Sequence, residues 1–130
     1  MHYLDEYKAD NISASKDKVA NIGRLKGWHA HIYFDEHTEQ KARKVIDKIA
    51  SEITELKQGR FHRELVGPHL CWSCQLYFKP KQLGEVASWL ALNRKGLTVL
   101  FHPITGNEFV DHTDHAFWMG NSKKLNLENL

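Results

Sequence analysis

From Trp28 to Phe34 the chain alternates without exception: Trp28, Ala30, Ile32 and Phe34 are apolar, and His29, His31 and Tyr33 fall between them. A period of two sustained over the whole run requires an extended strand with one buried face and one polar face. A helix would scatter the same residues around its circumference. The period then changes. Ala42, Val45, Ile46, Ile49, Ile53 and Leu56 recur at steps of three and four, with Glu36 and Glu39 ahead of them and Gly59 just behind. This spacing predicts an amphipathic helix over about residues 38 to 57, with acidic groups at its positive end.

A short segment from Arg60 to Val66 leads to the turn pair Gly67-Pro68. Beyond it a third strand is expected, with Leu70, Trp72, Cys74, Leu76 and Phe78 on one face and His69, Cys71, Ser73, Gln75 and Tyr77 on the other. Pro80 suits the start of a second helix over about residues 81 to 94, striped by Leu83, Val86, Ala87 and Leu90 and stopped by Gly96. In the last strand Leu97, Val99 and Phe101 face one way, and Thr98, Leu100 and His102 the other. The order predicts an α+β fold, a ferredoxin-like βαββαβ sandwich. Two helices would cover one face of a four-stranded antiparallel sheet ordered four, one, three, two. Residues 1–24 have few apolar side chains and read as an N-terminal arm, 25–120 as the folded domain and 121–130 as a C-terminal tail.

A chain of 130 residues fits one domain with a sizeable core. Its 18 Lys and Arg are dispersed among 16 Asp and Glu, which argues against a nucleic-acid groove, since phosphate binding needs clustered cations. No apolar run is long enough to span a bilayer, and the N-terminus lacks the layout of a secretory signal. The expected location is cytoplasmic, with no membrane partner. Cys71-Trp72-Ser73-Cys74 has the CxxC spacing, but it falls inside a predicted strand and has no second pair. Two small packing thiols in a reducing compartment are the simpler reading.

Histidine usage carries the functional signal. Of nine histidines, His2 and His37 read as surface residues, while His29, His31, His62, His69, His102, His112 and His115 fall in strands, strand ends or one short following stretch. Taking strands one and three as parallel neighbours, with strand four antiparallel beside strand one, brings His29, His31, His69 and His102 to one end of the uncovered face. Adjacent strands are about 4.8 Å apart and alternate residues about 6.6 Å, so imidazoles there can converge on one ion. His29, His31 and His102 are the leading metal ligands, and Glu108 or Asp111 could complete a two-histidine, one-carboxylate set. Any single histidine is more simply explained by a backbone or carboxylate partner. Four on one face favour a shared site.

The runs Gly27-Trp28-His29-Ala30-His31-Ile32-Tyr33-Phe34, Gly59-Arg60-Phe61-His62, Val66-Gly67-Pro68-His69, Leu100-Phe101-His102-Pro103-Ile104-Thr105-Gly106 and Asp111-His112-Thr113-Asp114-His115-Ala116-Phe117-Trp118-Met119-Gly120 together resemble the DOPA 4,5-dioxygenase family. Members tend to carry proline on both sides of the Val-Gly-Pro-His block and aspartate after the Thr-Gly pair, where this chain has Leu65, Leu70 and Asn107. The resemblance implies extradiol cleavage of a catechol with Fe²⁺ as cofactor, another divalent metal being able to occupy the site in a purified sample. It implies His69 as the proton-transferring group, with His115 as the alternative, and Tyr33, His112 and Trp118 as substrate-pocket residues. The partners would be a small aromatic and dioxygen.

Two other readings belong to different classes. One is a non-enzymatic module that binds a small aromatic or a metal. The other is a dimerisation domain, since an uncovered sheet face can pack on a second copy, and a homodimer is also compatible with the enzyme.

Overall fold

The computed structural model describes residues 19–130. Most of the expected N-terminal arm, and His2 with it, lies outside the described residues; Ile22–Arg24 forms a single 3-10 turn. The elements then run β1 (Trp28–Phe34), α1 (Glu39–Glu52), β2 (Lys57–His62), β3 (Trp72–Phe78), a 3-10 turn (Pro80–Gln82), α2 (Leu83–Asn93), β4 (Val99–Pro103), α3 (Glu108–Asp111), β5 (Phe117–Met119) and a closing 3-10 turn (Leu127–Asn129). The strands form one sheet in the order β2-β3-β1-β4-β5. Every neighbouring pair is antiparallel.

Two expectations about the sheet are corrected. It has five strands, not four, because β5 pairs along β4. And β1 runs antiparallel to β3, with Trp28 opposite Phe78 and Phe34 opposite Trp72. A right-handed crossover through α1 makes β1 parallel to β2, so β3, which returns from β2 and pairs between them, must oppose both.

One face carries the core. Ala30, Ile32 and Phe34 of β1, Cys74, Leu76 and Phe78 of β3, and Val99 and Phe101 of β4 pack against Ala42, Val45, Ile46 and Ile49 of α1 and Val86 and Leu90 of α2. Each fully buried side chain of this kind stabilises the fold by about 1.5–3 kcal/mol. Leu70, expected on this face, is exposed, since β3 begins only at Trp72. The second strand likewise starts and ends earlier than expected, at Lys57 and His62.

Helix α1 stops at Glu52, short of the predicted end. Ile53 is already extended and Glu55 has a φ of 66°, so the chain reverses there, well before Gly59, which lies within β2. The Gln82 side chain ties this turn to the next helix, accepting from the Lys79 amide and donating to the Thr54 carbonyl at 2.8 Å. Both cysteines are free thiols. Cys74 is in the core, where burial pushes its pKa up to about 12, and Cys71 precedes the strand half-buried. No described helix is long and apolar enough to cross a membrane.

Candidate metal centre

The face opposite the helices holds the histidines, and three of them follow from register alone. His29 of β1 is directly opposite His102 of β4, and His31 is two residues further along β1 on the same side. Their ring centroids are 5.1 Å (His29 to His102), 5.6 Å (His29 to His31) and 5.0 Å (His31 to His102) apart. Ligand-capable nitrogens of all three lie within 4.8 Å of one another, a spacing that lets them share one ion. The antiparallel neighbour β3 supplies the polar floor beside them, with Gln75 opposite His31 and Ser73 opposite Tyr33.

His69 arrives by a different route from the one its sequence position suggested. The start of β3 lies beside the end of β1, far along the sheet from His29, and His69 precedes the strand altogether. The connection after β2 instead folds back over the open face. This puts the His69 ring 4.1 Å from that of His31 and its Nδ1 2.6 Å from the Tyr33 hydroxyl. Residues near the C-terminus hold the loop there: the Asn126 amide donates to the Pro68 carbonyl at 2.8 Å, Asn129 Nδ2 donates to the Gly67 carbonyl, and His69 bridges Leu125. Gly67 takes a φ of 55° at this turn, which a residue without a Cβ adopts freely.

A fifth imidazole comes from the short helix after β4. Asn107 caps α3 by accepting from the Val110 amide, and the buried Asp111 carboxylate accepts from the Thr105 amide at 2.8 Å and the Thr105 hydroxyl at 2.7 Å. The connection is thereby fixed, and the His112 ring lies 3.9 Å from that of His102. His31, His69 and His112 form a second group whose ligand-capable atoms are within 4.8 Å, so His31 belongs to both triads.

Hydrogen bonds set which ring nitrogens face inward. His102 Nδ1 donates to its neighbouring Pro103 carbonyl at 2.9 Å, and His112 Nδ1 donates to the Glu108 carbonyl at 2.7 Å. Each ring is therefore held by its Nδ1 and turns its Nε2 inward, the arrangement that commonly orients a metal-binding imidazole. His102 Nε2 lies 3.0 Å from His31 Nε2, and with the His102 proton on Nδ1 it is His31 that donates between them.

Electrostatics disfavour the charged form of His29, His31, His69 and His102. Burial, then the neighbouring imidazoles, holds His31 well below the ordinary histidine pKa. Burial first and His112 second bring His69 down to about 4 and His102 down to about 3, and lower His29 as well. Neutral imidazole is the form that binds metal, so these side chains need shed no proton near neutrality.

The cluster opens onto a cavity of about 610 Å³, within the range of small-molecule sites. Its wall includes His62, which sequence reading left unassigned. The signal was available in parity: Phe61 packs into the core against Phe34, so its neighbour His62, paired with Ser73, faces the other side. Other candidates lie elsewhere. Tyr33 is buried behind His69 and does not line this cavity, and Trp118 packs on Tyr33 with ring centroids 5.9 Å apart. His115 is exposed, with Nδ1 3.0 Å from Asp111 Oδ1. Glu108 is at the exposed mouth, and neither carboxylate is in a ligand triad. His37 is exposed beside Glu36.

Fold and site together define a small α+β protein with an imidazole-lined cavity on the free face of its sheet. Residues 28–129 match the Dopa 4,5-dioxygenase family, and the chain belongs to it. The chain is 30% identical over 115 residues to the DOPA 4,5-dioxygenase of Amanita muscaria, an alignment covering 82% of this chain and 50% of that protein. It is 38% identical over 108 residues to a 21.2 kDa protein of Botryotinia fuckeliana, covering 75% and 59%. The chain thus spans about half the length of the curated relatives it matches. The crystal structure of a candidate dioxygenase from Nostoc punctiforme superposes with a TM-score of 0.80 at 34% identity, over 85% of this chain and 95% of that one.

Proposed function

We propose that this chain is an extradiol ring-cleaving dioxygenase that holds Fe²⁺ on His29, His31 and His102 and opens a catechol. The reading is carried by the convergence of three mostly buried imidazoles, in a member of a dioxygenase family, on a cavity large enough for a small aromatic. The donor set fits a divalent ion: the rings are neutral, and the Pro103 carbonyl orients His102 from outside. Iron bound there supplies the Lewis-acid and redox chemistry that joining dioxygen to an aromatic ring requires.

The protein's own groups do the rest. His69, neutral at pH 7 and held at Nδ1 by the Tyr33 hydroxyl, takes a proton from a catechol hydroxyl and returns one as the ring opens. His115, oriented by Asp111, is the alternative for this role. His112 forms a wall of the cavity against which the aromatic ring packs, and the Tyr33–Trp118 pair backs His69 and keeps its position. Both atoms of dioxygen end in the product, an aldehyde and a carboxylate at the two carbons once joined.

The test is direct. Protein loaded anaerobically with Fe²⁺, then given catechols and oxygen, should form a yellow semialdehyde and consume one dioxygen per ring opened. Iron-bound protein that leaves every catechol intact would point to a binding module.

A further inference from the structure

We propose that His31, His69 and His112 form a second cation seat, suited to Zn²⁺, that shares the His31 ring with the His29–His31–His102 seat and so fills only when that one empties. The seat itself rests on geometry; its consequence, inhibition by zinc, rests on the ring-cleaving reading of the same cavity.

The three rings reach one another from separate parts of the chain. His31 is on β1, His69 on the loop before β3 and His112 just beyond α3, and their ligand-capable nitrogens lie within 4.8 Å of one another. The ring centroids are 4.1 Å (His31 to His69), 6.2 Å (His69 to His112) and 6.3 Å (His31 to His112) apart. All three are buried, whereas His29 is only half-buried. Packing has no need of three imidazoles at one point, since every buried ring nitrogen must find a polar partner.

Each incoming ring is also anchored from behind. His69 Nδ1 lies 2.6 Å from the Tyr33 hydroxyl and His112 Nδ1 lies 2.7 Å from the Glu108 carbonyl, so both rings are held by Nδ1 and turn Nε2 inward. An oxygen on the outer nitrogen is how metal-binding imidazoles are commonly oriented. The backbone behind the rings is fixed twice over: Asn126 and Asn129 hold the His69 loop, and the Asp111 carboxylate, accepting from Thr105, holds the connection that carries His112. No carboxylate belongs to the triad. Three nitrogen donors with a position left for water suit tetrahedral Zn²⁺.

His31 makes the two seats alternatives. A neutral imidazole has one lone pair on its ring nitrogens, so it serves one ion at a time. An ion on the second seat also takes the His69 nitrogen that the ring-cleaving reading assigns to proton transfer. Zinc there would empty the iron seat and block the acid–base group at once.

The experiment titrates Zn²⁺ alone into metal-free protein against a chromophoric chelator. Wild type should bind one ion per chain; two would overturn the sharing of His31. The decisive variant is His29→Ala/His102→Ala, which removes two ligands of the first seat and leaves the second whole. It should still bind one Zn²⁺. Tyr33→Phe in that background should weaken binding about tenfold or more, the scale of a lost outer partner, and His112→Ala should weaken it further. Loss of zinc from the folded double variant, or zinc indifferent to both added changes, overturns the proposal. Where circular dichroism shows the double variant unfolded, wild type decides: Zn²⁺ should shift the ¹⁵N resonances of the His69 and His112 rings, and shifts confined to His29, His31 and His102 overturn the second seat. Inhibition is read separately, as the Zn²⁺ concentration that halves turnover of Fe²⁺-loaded protein. It should rise at least about tenfold in His112→Ala, and an unchanged value overturns the inhibitory role. If no catechol is cleaved, ring cleavage fails as a reading while the binding data still judge the seat.

Discussion

Phe101 and His102 are neighbours on β4 and both are almost wholly buried, at 0% and 4% exposure, yet they belong to opposite faces of one sheet. Phe101 packs in the core, stacked on Phe117 at 4.6 Å and edge-on to Phe78. Burial there is favourable in itself. His102 is buried among His29, His31 and His112, where its proton-bound form is excluded by desolvation and by like groups. Burial there has a cost, which the apolar face offsets. The strand alternation thus divides labour residue by residue: one parity holds the sheet together, the other holds a set of imidazoles ready for a charge they do not themselves carry.

The largest expected effect tests that division with adjacent alanines. His102→Ala should abolish turnover by removing a metal ligand, seen as loss of iron from purified protein, while changing the stability of the metal-free fold little. Phe101→Ala should lower the unfolding free energy by about 3–5 kcal/mol in urea titrations. Similar destabilisation by both would mean that the faces are not separable.

Next in size is His69→Ala, which should retain iron but lower kcat by about 100-fold, the scale of a lost general acid or base. Loss of iron would instead place His69 among the ligands, through the triad with His31 and His112.

The smallest effect, taken per group and per pH unit, is on pH. The folded protein resists protonation of His69 down to about 4 and of His102 down to about 3, whereas an unfolded histidine titrates near 6.5. Both groups are neutral in both states above that value, so stability there is unaffected. As the pH falls from 6.5 towards 4, the unfolded chain takes up protons that the folded one refuses, and metal-free stability should drop by up to about 1.4 kcal/mol per pH unit for each such group. His69→Asn should flatten this slope in denaturation curves collected across the window.

What the sequence revealed and what it hid follow the same physics. Alternation in β1 and β4 was enough to place His29, His31 and His102 on one face, because side-chain parity is a local property of a strand. Strand direction is not local. Treating β1 and β3 as parallel put His69 near His29 by an incorrect route; the real proximity is to His31, created by a loop whose path no periodicity encodes. Helix α3 and strand β5 span only Glu108–Asp111 and Phe117–Met119, too short to show a period, so the position of His112 and the fifth strand were not readable. The end of α1 was misplaced because Glu55, not a glycine, takes the positive φ.

The clasp between the His69 loop and the segment from Leu125 to Asn129 has a temporal meaning. Contacts such as Asn129 to Gly67 span 62 positions of chain, whereas β1 to β4 are all present once Pro103 has emerged from a ribosome. The first four strands and their apolar core can assemble while the residues that pin His69 have yet to be made. The His69 loop is then fastened after the scaffold, so the full set of imidazoles comes together only once the segment from Leu125 to Asn129 has been made.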